Sequence, residues 1–80
     1  MEIQNQIANW ISQNKNIEKV EHSVNFFDSG YLDSFDMILL IEFCEERFSI
    51  SFQEFHFEDR RFPSVDGLTT IILEIQAENP

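Results

Sequence analysis

The amino-acid sequence predicts an all-α protein, a small four-helix bundle formed by one domain that spans residues 1–80. In three segments, apolar residues recur every three or four positions, which is the spacing of one helix face. Only two glycines and two prolines interrupt the chain, as suits helices joined by a few loops. Nine Phe and one Trp supply a core, which matters because a chain this short buries only about 60% of its unfolded surface.

The first helix is predicted from Glu2 to Gln13. Its apolar residues share one helical face: Ile3, Ile7, Trp10 and Ile11. We expect Asn14-Lys15-Asn16 to end it, because asparagine tolerates the left-handed backbone of a helix C-cap. A long loop follows from Ile17 to Leu32. Such length is unusual in a compact domain, and we expect this loop to cross from one end of the bundle to the other.

The second helix is predicted from Ser34 to Phe48. Gly30 allows a sharp turn before it because glycine adopts positive φ without strain. Asp33 is a good N-cap, and Asp36 three residues later completes a capping box. Five apolar residues are expected to face the core: Met37, Leu40, Ile41, Cys44 and Phe48.

After this helix, residues 48–52 alternate like a strand, but the chain offers no second strand to pair with. We therefore predict an extended loop that anchors Ile50 and Phe52 in the core. Residues 55–62 suit a helix of one or two turns, the short fourth member of the bundle. Pro63 should stop it, because the residue before proline avoids the helical region.

The last helix is predicted from Val65 to Gln76, with Ser64 as its N-cap. Its buried face follows the helical spacing: Val65, Leu68, Ile71, Ile72 and Ile75. Residues 78–80 should form a frayed end.

The net charge of −10, from fifteen acidic and five basic residues, restricts the partners. It argues against nucleic acid and anionic membranes, which need Lys and Arg to displace counterions. It favours partners with basic surfaces, although acidity can also serve solubility alone. One cysteine allows no internal disulfide. The sequence shows neither a signal peptide nor a membrane span, so we expect a cytoplasmic monomer.

Few residues suit catalysis or metal binding. Cys44 faces inward in the helical pattern, which favours an inert buried thiol. His22 and His56 are expected at the surface or in loops, without the spacing of metal ligands. Arg60 or Arg61 is expected to pair with acids of the last loop. The sequence contains no recognisable catalytic pair, and we expect a protein that is not an enzyme.

The segment Leu32-Asp33-Ser34-Phe35-Asp36, followed by an apolar and acidic helix, resembles the attachment site of acyl carrier proteins. The approach Phe26-Phe27-Asp28 and the segment Phe62-Pro63-Ser64-Val65 also fit that family. The resemblance implies that Ser34 carries 4′-phosphopantetheine, whose thiol holds acyl or aminoacyl groups as thioesters. The two residues between Gly30 and Asp33 look more like D-alanyl carriers and stand-alone carriers than like fatty-acid carriers.

The resemblance also implies partner enzymes. These are a phosphopantetheinyl transferase, an acyl- or aminoacyl-loading ligase, and a downstream acyltransferase or synthase. Asp33 would serve both as the helix cap and in transferase recognition. The predicted docking surface combines apolar anchors with acids: Phe35, Asp36, Leu39, Glu42, Glu45 and Glu46.

Two alternatives remain open at this stage. The acids could form an ordinary solvated helix face, and Phe35 and Leu39 could be buried in the core. The whole chain could also be an acidic helical module for protein–protein interaction, without a prosthetic group. That alternative explains the charge and the helices but gives no reason for the turn and serine before the second helix.

Overall fold

The computed structural model describes residues 2–78, which form four helices and no β-strand. In chain order the helices are α1 (Ile3–Lys15), α2 (Ser34–Phe48), α3 (Glu54–Phe57) and α4 (Val65–Glu78). The predicted all-α bundle of three longer helices and one short helix is confirmed. The last helix runs two residues beyond the predicted Gln76 and includes Glu78, so the predicted frayed end is wrong at that residue. Residues 79 and 80, also predicted to fray, lie outside the described chain.

Helix α1 begins at Ile3 and ends at Lys15, so the predicted end at Gln13 is wrong by two residues. The helix stops where Asn16 adopts the left-handed conformation (φ 56°) and donates its backbone N–H to the Ser12 carbonyl. Asn14 stays helical, and its side-chain amide donates to the Trp10 carbonyl at 2.8 Å. The asparagines therefore end the helix as expected, but the second one provides the cap.

Helices α1 and α2 pack in antiparallel orientation. Three side-chain pairs follow the seam from one end to the other: Lys15 with Asp36, Trp10 with Phe43, and Gln6 with Arg47. The middle pair is stacked, with ring centroids 5.9 Å apart. The end of α1 and the start of α2 consequently lie at the same end of the bundle.

The loop between α1 and α2 therefore does not cross the bundle, and that prediction is wrong. Instead the loop packs against the start of α4. The Phe26 N–H donates to the Pro63 carbonyl at 2.7 Å, and the Asp66 N–H donates to the His22 carbonyl at 3.0 Å. Phe26 is completely buried. The loop is long because it supplies core contacts and backbone hydrogen bonds that a tight turn would lack.

The core is formed by all three longer helices and by anchors from the loops. Its buried members are Ile7, Ile11, Phe26, Leu32, Met37, Leu40, Cys44, Phe52, Phe62, Val65, Leu68, Ile71, Ile72 and Ile75. Four residues assigned to the inner helix faces are only half-buried at its rim: Ile3, Trp10, Ile41 and Phe48. The predicted extended loop is confirmed, since Phe52 is buried and Ile50 packs against the core.

His56, expected at the surface or in a loop, is instead a buried residue of helix α3. Its Nδ1 accepts the backbone N–H of Gln53 at 2.8 Å. Its ring contacts those of Phe55 and Phe52, with centroids 4.2 and 6.0 Å away. The imidazole can be buried here because the backbone N–H of Gln53 satisfies its acceptor nitrogen.

The first turn of α4 lies very close to the backbone of the loop that precedes it. Ser64 caps the helix as predicted, with its Oγ accepting the Gly67 N–H at 3.0 Å. A Cβ placed on Gly67 would lie 1.8 Å from the carbonyl oxygen of Arg61. Only glycine permits this contact.

Arg61 forms the ion pair with an acid of the last loop that was predicted for Arg60 or Arg61, and it forms a second, unpredicted pair with α4. Its guanidinium contacts Asp59 at 2.7 Å and Glu74 of α4 at 2.9 Å. The hydrogen bonds from Arg61 lower the pKa of Asp59 to about 2 and also lower the pKa of Glu74. The guanidinium thus ties the loop before α4 to the middle of that helix.

We predict that Gly67→Ala will lower the free energy of unfolding by about 1–3 kcal/mol, because the methyl group overpacks against backbone that cannot rotate away. Gly30→Ala should cost about 1–2 kcal/mol for a different reason, since Gly30 has a φ of +79° but open space around it. Urea unfolding of both variants measures these losses. Helix propensity alone predicts that Gly67→Ala stabilises α4 by up to about 1 kcal/mol, and such a gain would contradict the close approach.

Candidate functional site

The backbone turns sharply just before α2. Gly30 has a φ of +79°, and its N–H donates to the Phe27 carbonyl at 3.2 Å. Leu32, two residues later, is buried, and its N–H donates to the Phe26 carbonyl at 3.2 Å. The buried leucine therefore anchors the chain immediately before Asp33.

A reciprocal capping box starts α2. Asp33 Oδ1 accepts the Asp36 N–H at 2.8 Å, and Asp36 Oδ2 accepts the Asp33 N–H at 3.1 Å. The prediction for this pair is confirmed. Ser34 occupies the first helical position and is exposed. Because Asp33 and Asp36 make the cap, the helix start does not need the hydroxyl of Ser34.

A basic residue that sequence reasoning missed lies at this helix start. Along the chain, no base follows Ser34 until Arg47, but in space the Lys15 ammonium is 2.8 Å from Asp36 Oδ2. The hydrogen bond to Asp36 raises the pKa of Lys15. The same ammonium, and then the backbone N–H of Asp33, lower the pKa of Asp36. The pair is therefore an ion pair at neutral pH.

The first turns of α2 expose an apolar surface. Phe35 is 67% exposed, Ile38 55% and Leu39 40%. The alternative that Phe35 and Leu39 belong to the core is thus excluded. Ile38 was not among the predicted site residues, although it lies one helical turn after Ser34 on the same face.

The acids of α2 fall into two groups. Glu42 and Glu46 are exposed, whereas Asp36 and Glu45 are half-buried. Glu45 Oε2 accepts the Phe52 N–H at 2.9 Å and so satisfies a backbone donor of the loop that enters the core. Asp36 is held by Lys15 and the Asp33 N–H.

Four of the six predicted docking residues therefore remain exposed along one stripe of the helix: Phe35, Leu39, Glu42 and Glu46.

The remaining candidate groups have structural surroundings. Cys44 is fully buried in α2, and burial raises the pKa of its thiol to about 12. Such a thiol stays protonated and unreactive at neutral pH. In residues 2–78 no three His, Cys, Asp or Glu side chains cluster so that they could hold a metal ion. None of the helices in that range is long and apolar enough to span a membrane.

Comparison with known proteins identifies no family. No protein-family model matches the chain, and no curated protein matches it with significance.

We predict that Ser34→Ala will leave the free energy of unfolding within about 0.5 kcal/mol of wild type, because the exposed hydroxyl does not cap the helix. Asp33→Ala should cost about 1 kcal/mol, because it removes the side chain that accepts the Asp36 N–H. Denaturant unfolding monitored by circular dichroism compares the two. A loss for Ser34→Ala as large as that for Asp33→Ala would show that the serine is structural.

Proposed function

We propose that this protein is an acyl carrier protein, which presents acyl or aminoacyl groups to partner enzymes from a 4′-phosphopantetheine arm on Ser34. The observation that carries this proposal is the exposed serine at the first position of α2, next to a cap made by Asp33 and Asp36. The hydroxyl is available for modification, and the helix does not depend on it. The same motif is the one whose sequence resembles carrier attachment sites.

The residues present fit such a group. A phosphodiester on Ser34 would lie at a helix N-terminus, where the dipole and the free N–H groups of the first turn favour an anion. Asp33 and Asp36 add negative charge there, and Lys15 neutralises part of it. When bound, the group supplies a thiol that holds the acyl cargo as a thioester on a flexible tether, which raises its local concentration near partner enzymes.

The attachment reaction needs only a nucleophilic oxygen from this chain. Ser34 Oγ would form a bond to the phosphorus that bears pantetheine in coenzyme A. The bridging P–O bond of the coenzyme A pyrophosphate would break, and adenosine 3′,5′-bisphosphate would leave with the electron pair. The transferase, rather than this chain, would supply a base for the serine proton and a magnesium ion for the pyrophosphate.

We further propose that partner enzymes bind the exposed stripe of α2 formed by Phe35, Leu39, Glu42 and Glu46. These residues follow the spacing of one helix face, with apolar side chains near Ser34 and carboxylates farther along. The stripe suits a partner with an apolar centre and a basic rim. The net charge of −10 would speed encounter with such a surface.

We predict that the wild-type protein will gain the mass of one phosphopantetheine when incubated with coenzyme A, magnesium and a broad-specificity phosphopantetheinyl transferase. Ser34→Ala should gain none, because the attacking oxygen is gone, while keeping its circular dichroism spectrum. Intact-protein mass spectrometry reads both results. No gain on folded wild-type protein with several transferases would contradict the carrier function and favour the acidic interaction module.

We predict that Leu39→Glu will lower kcat/KM for acyl loading by the cognate ligase at least tenfold, because it places a charge in the apolar part of the docking stripe. Leu73→Glu is the matched control, since Leu73 of α4 is 52% exposed and the chemical change is identical. Loading kinetics of the phosphopantetheinylated variants test this. Equal effects of the two substitutions would exclude the stripe as the docking surface.

A further inference from the structure

The Asp36 carboxylate links the Lys15 ammonium to Asp33, the residue that precedes Ser34. Asp36 Oδ2 contacts Lys15 Nζ at 2.8 Å and also accepts the Asp33 N–H at 3.1 Å. A charge from the end of α1 is therefore connected to the N-cap of α2. This connection exists because the two helices pack in antiparallel orientation.

The charges around Ser34 explain why this connection matters. Asp33 and Asp36 place two carboxylates within two residues of the serine, and Lys15 is the base that pairs with one of them. Transfer of a phosphoryl group to Ser34 Oγ adds further negative charge at the same helix start. An unpaired Asp36 carboxylate would oppose that charge over a distance shorter than the Debye length of about 10 Å at 0.1 M salt.

We propose that Lys15 is a positioning residue for the phosphopantetheinylation of Ser34, an inference that rests on the proposed carrier function. Its ammonium holds the Asp36 carboxylate in the capping box and neutralises it. The first turn of α2 thus keeps one geometry while the Ser34 Oγ–phosphorus bond forms. The raised pKa of Lys15 and the lowered pKa of Asp36 agree with a persistent ion pair.

Positioning by Lys15 predicts a different change in kcat and KM from the one that a general effect of protein net charge predicts. Removing the lysine charge makes the net charge of the protein more negative. The KM for a basic transferase should therefore fall or stay unchanged. The unpaired Asp36 should at the same time lower kcat, because it opposes the negative charge of the transition state. A fall in kcat without a rise in KM therefore distinguishes positioning at Ser34 from weakened docking.

The experiment measures transferase kinetics with coenzyme A and magnesium for the wild-type protein and three single variants, and repeats the Lys15→Gln comparison in an Asp36→Asn background. Lys15→Gln removes the charge, Lys15→Arg keeps it, and Lys19→Gln makes the same change four residues later. Lys19 is exposed and forms no ion pair with the described residues. Circular dichroism melts establish that each variant is folded.

We expect Lys15→Gln to lower kcat about three- to tenfold at low salt, with KM unchanged or reduced. Lys15→Arg and Lys19→Gln should retain the wild-type kcat. The ratio of wild-type to Lys15→Gln kcat should shrink at 0.5 M salt, because salt screens the repulsion between the half-buried Asp36 carboxylate and the charge that arrives at the exposed Ser34. In an Asp36→Asn background, Lys15→Gln should no longer change kcat, since the carboxylate it neutralises is absent.

Equal kcat values for Lys15→Gln and Lys19→Gln would overturn the inference while leaving the carrier function intact. So would an effect of Lys15→Gln that persists in the Asp36→Asn background. Unfolding of Lys15→Gln would make the lysine structural rather than positioning, which also overturns it. Absence of modification in the wild-type protein would instead reject the carrier function, and this inference with it.

Discussion

The antiparallel packing of α1 against α2 sets where the first loop and the start of α2 lie. It is held by an ion pair at one end, a stacked aromatic pair in the middle and a hydrogen bond between Arg47 and Gln6 at the other. Because this packing brings the end of α1 close to the start of α2, the loop between them begins and ends at the same end of the bundle. The loop then covers the start of α4 and buries Phe26 there.

At the start of α2, neighbouring residues make different stabilising contacts. Asp33 and Asp36 satisfy each other's backbone N–H groups, Leu32 anchors the chain in the core, and Lys15 balances one carboxylate. Ser34 takes part in none of these contacts and stays exposed. A site of this kind can be modified without loss of helix stability, which is what the proposed carrier function requires.

Adjacent acids on α2 differ in role because successive helical residues point about 100° apart. Glu46 is exposed and available to a partner, whereas Glu45 turns toward the bundle and accepts the Phe52 N–H. Composition and helical periodicity place both on the polar side of the helix. Only the path of the following loop shows that one of them has an internal hydrogen bond.

Sequence patterns alone predict the four helices, the caps at Asp33 and Ser64 and the positive φ of Gly30. These features depend on interactions between residues within about one helical turn, which leave a periodic or local pattern in the chain. Packing between distant segments determines the pairing of Lys15 with Asp36, the burial of His56, the path of the first loop and the need for glycine at position 67. Those depend on how the helices and loops pack together, and packing between segments distant in the chain leaves no such pattern.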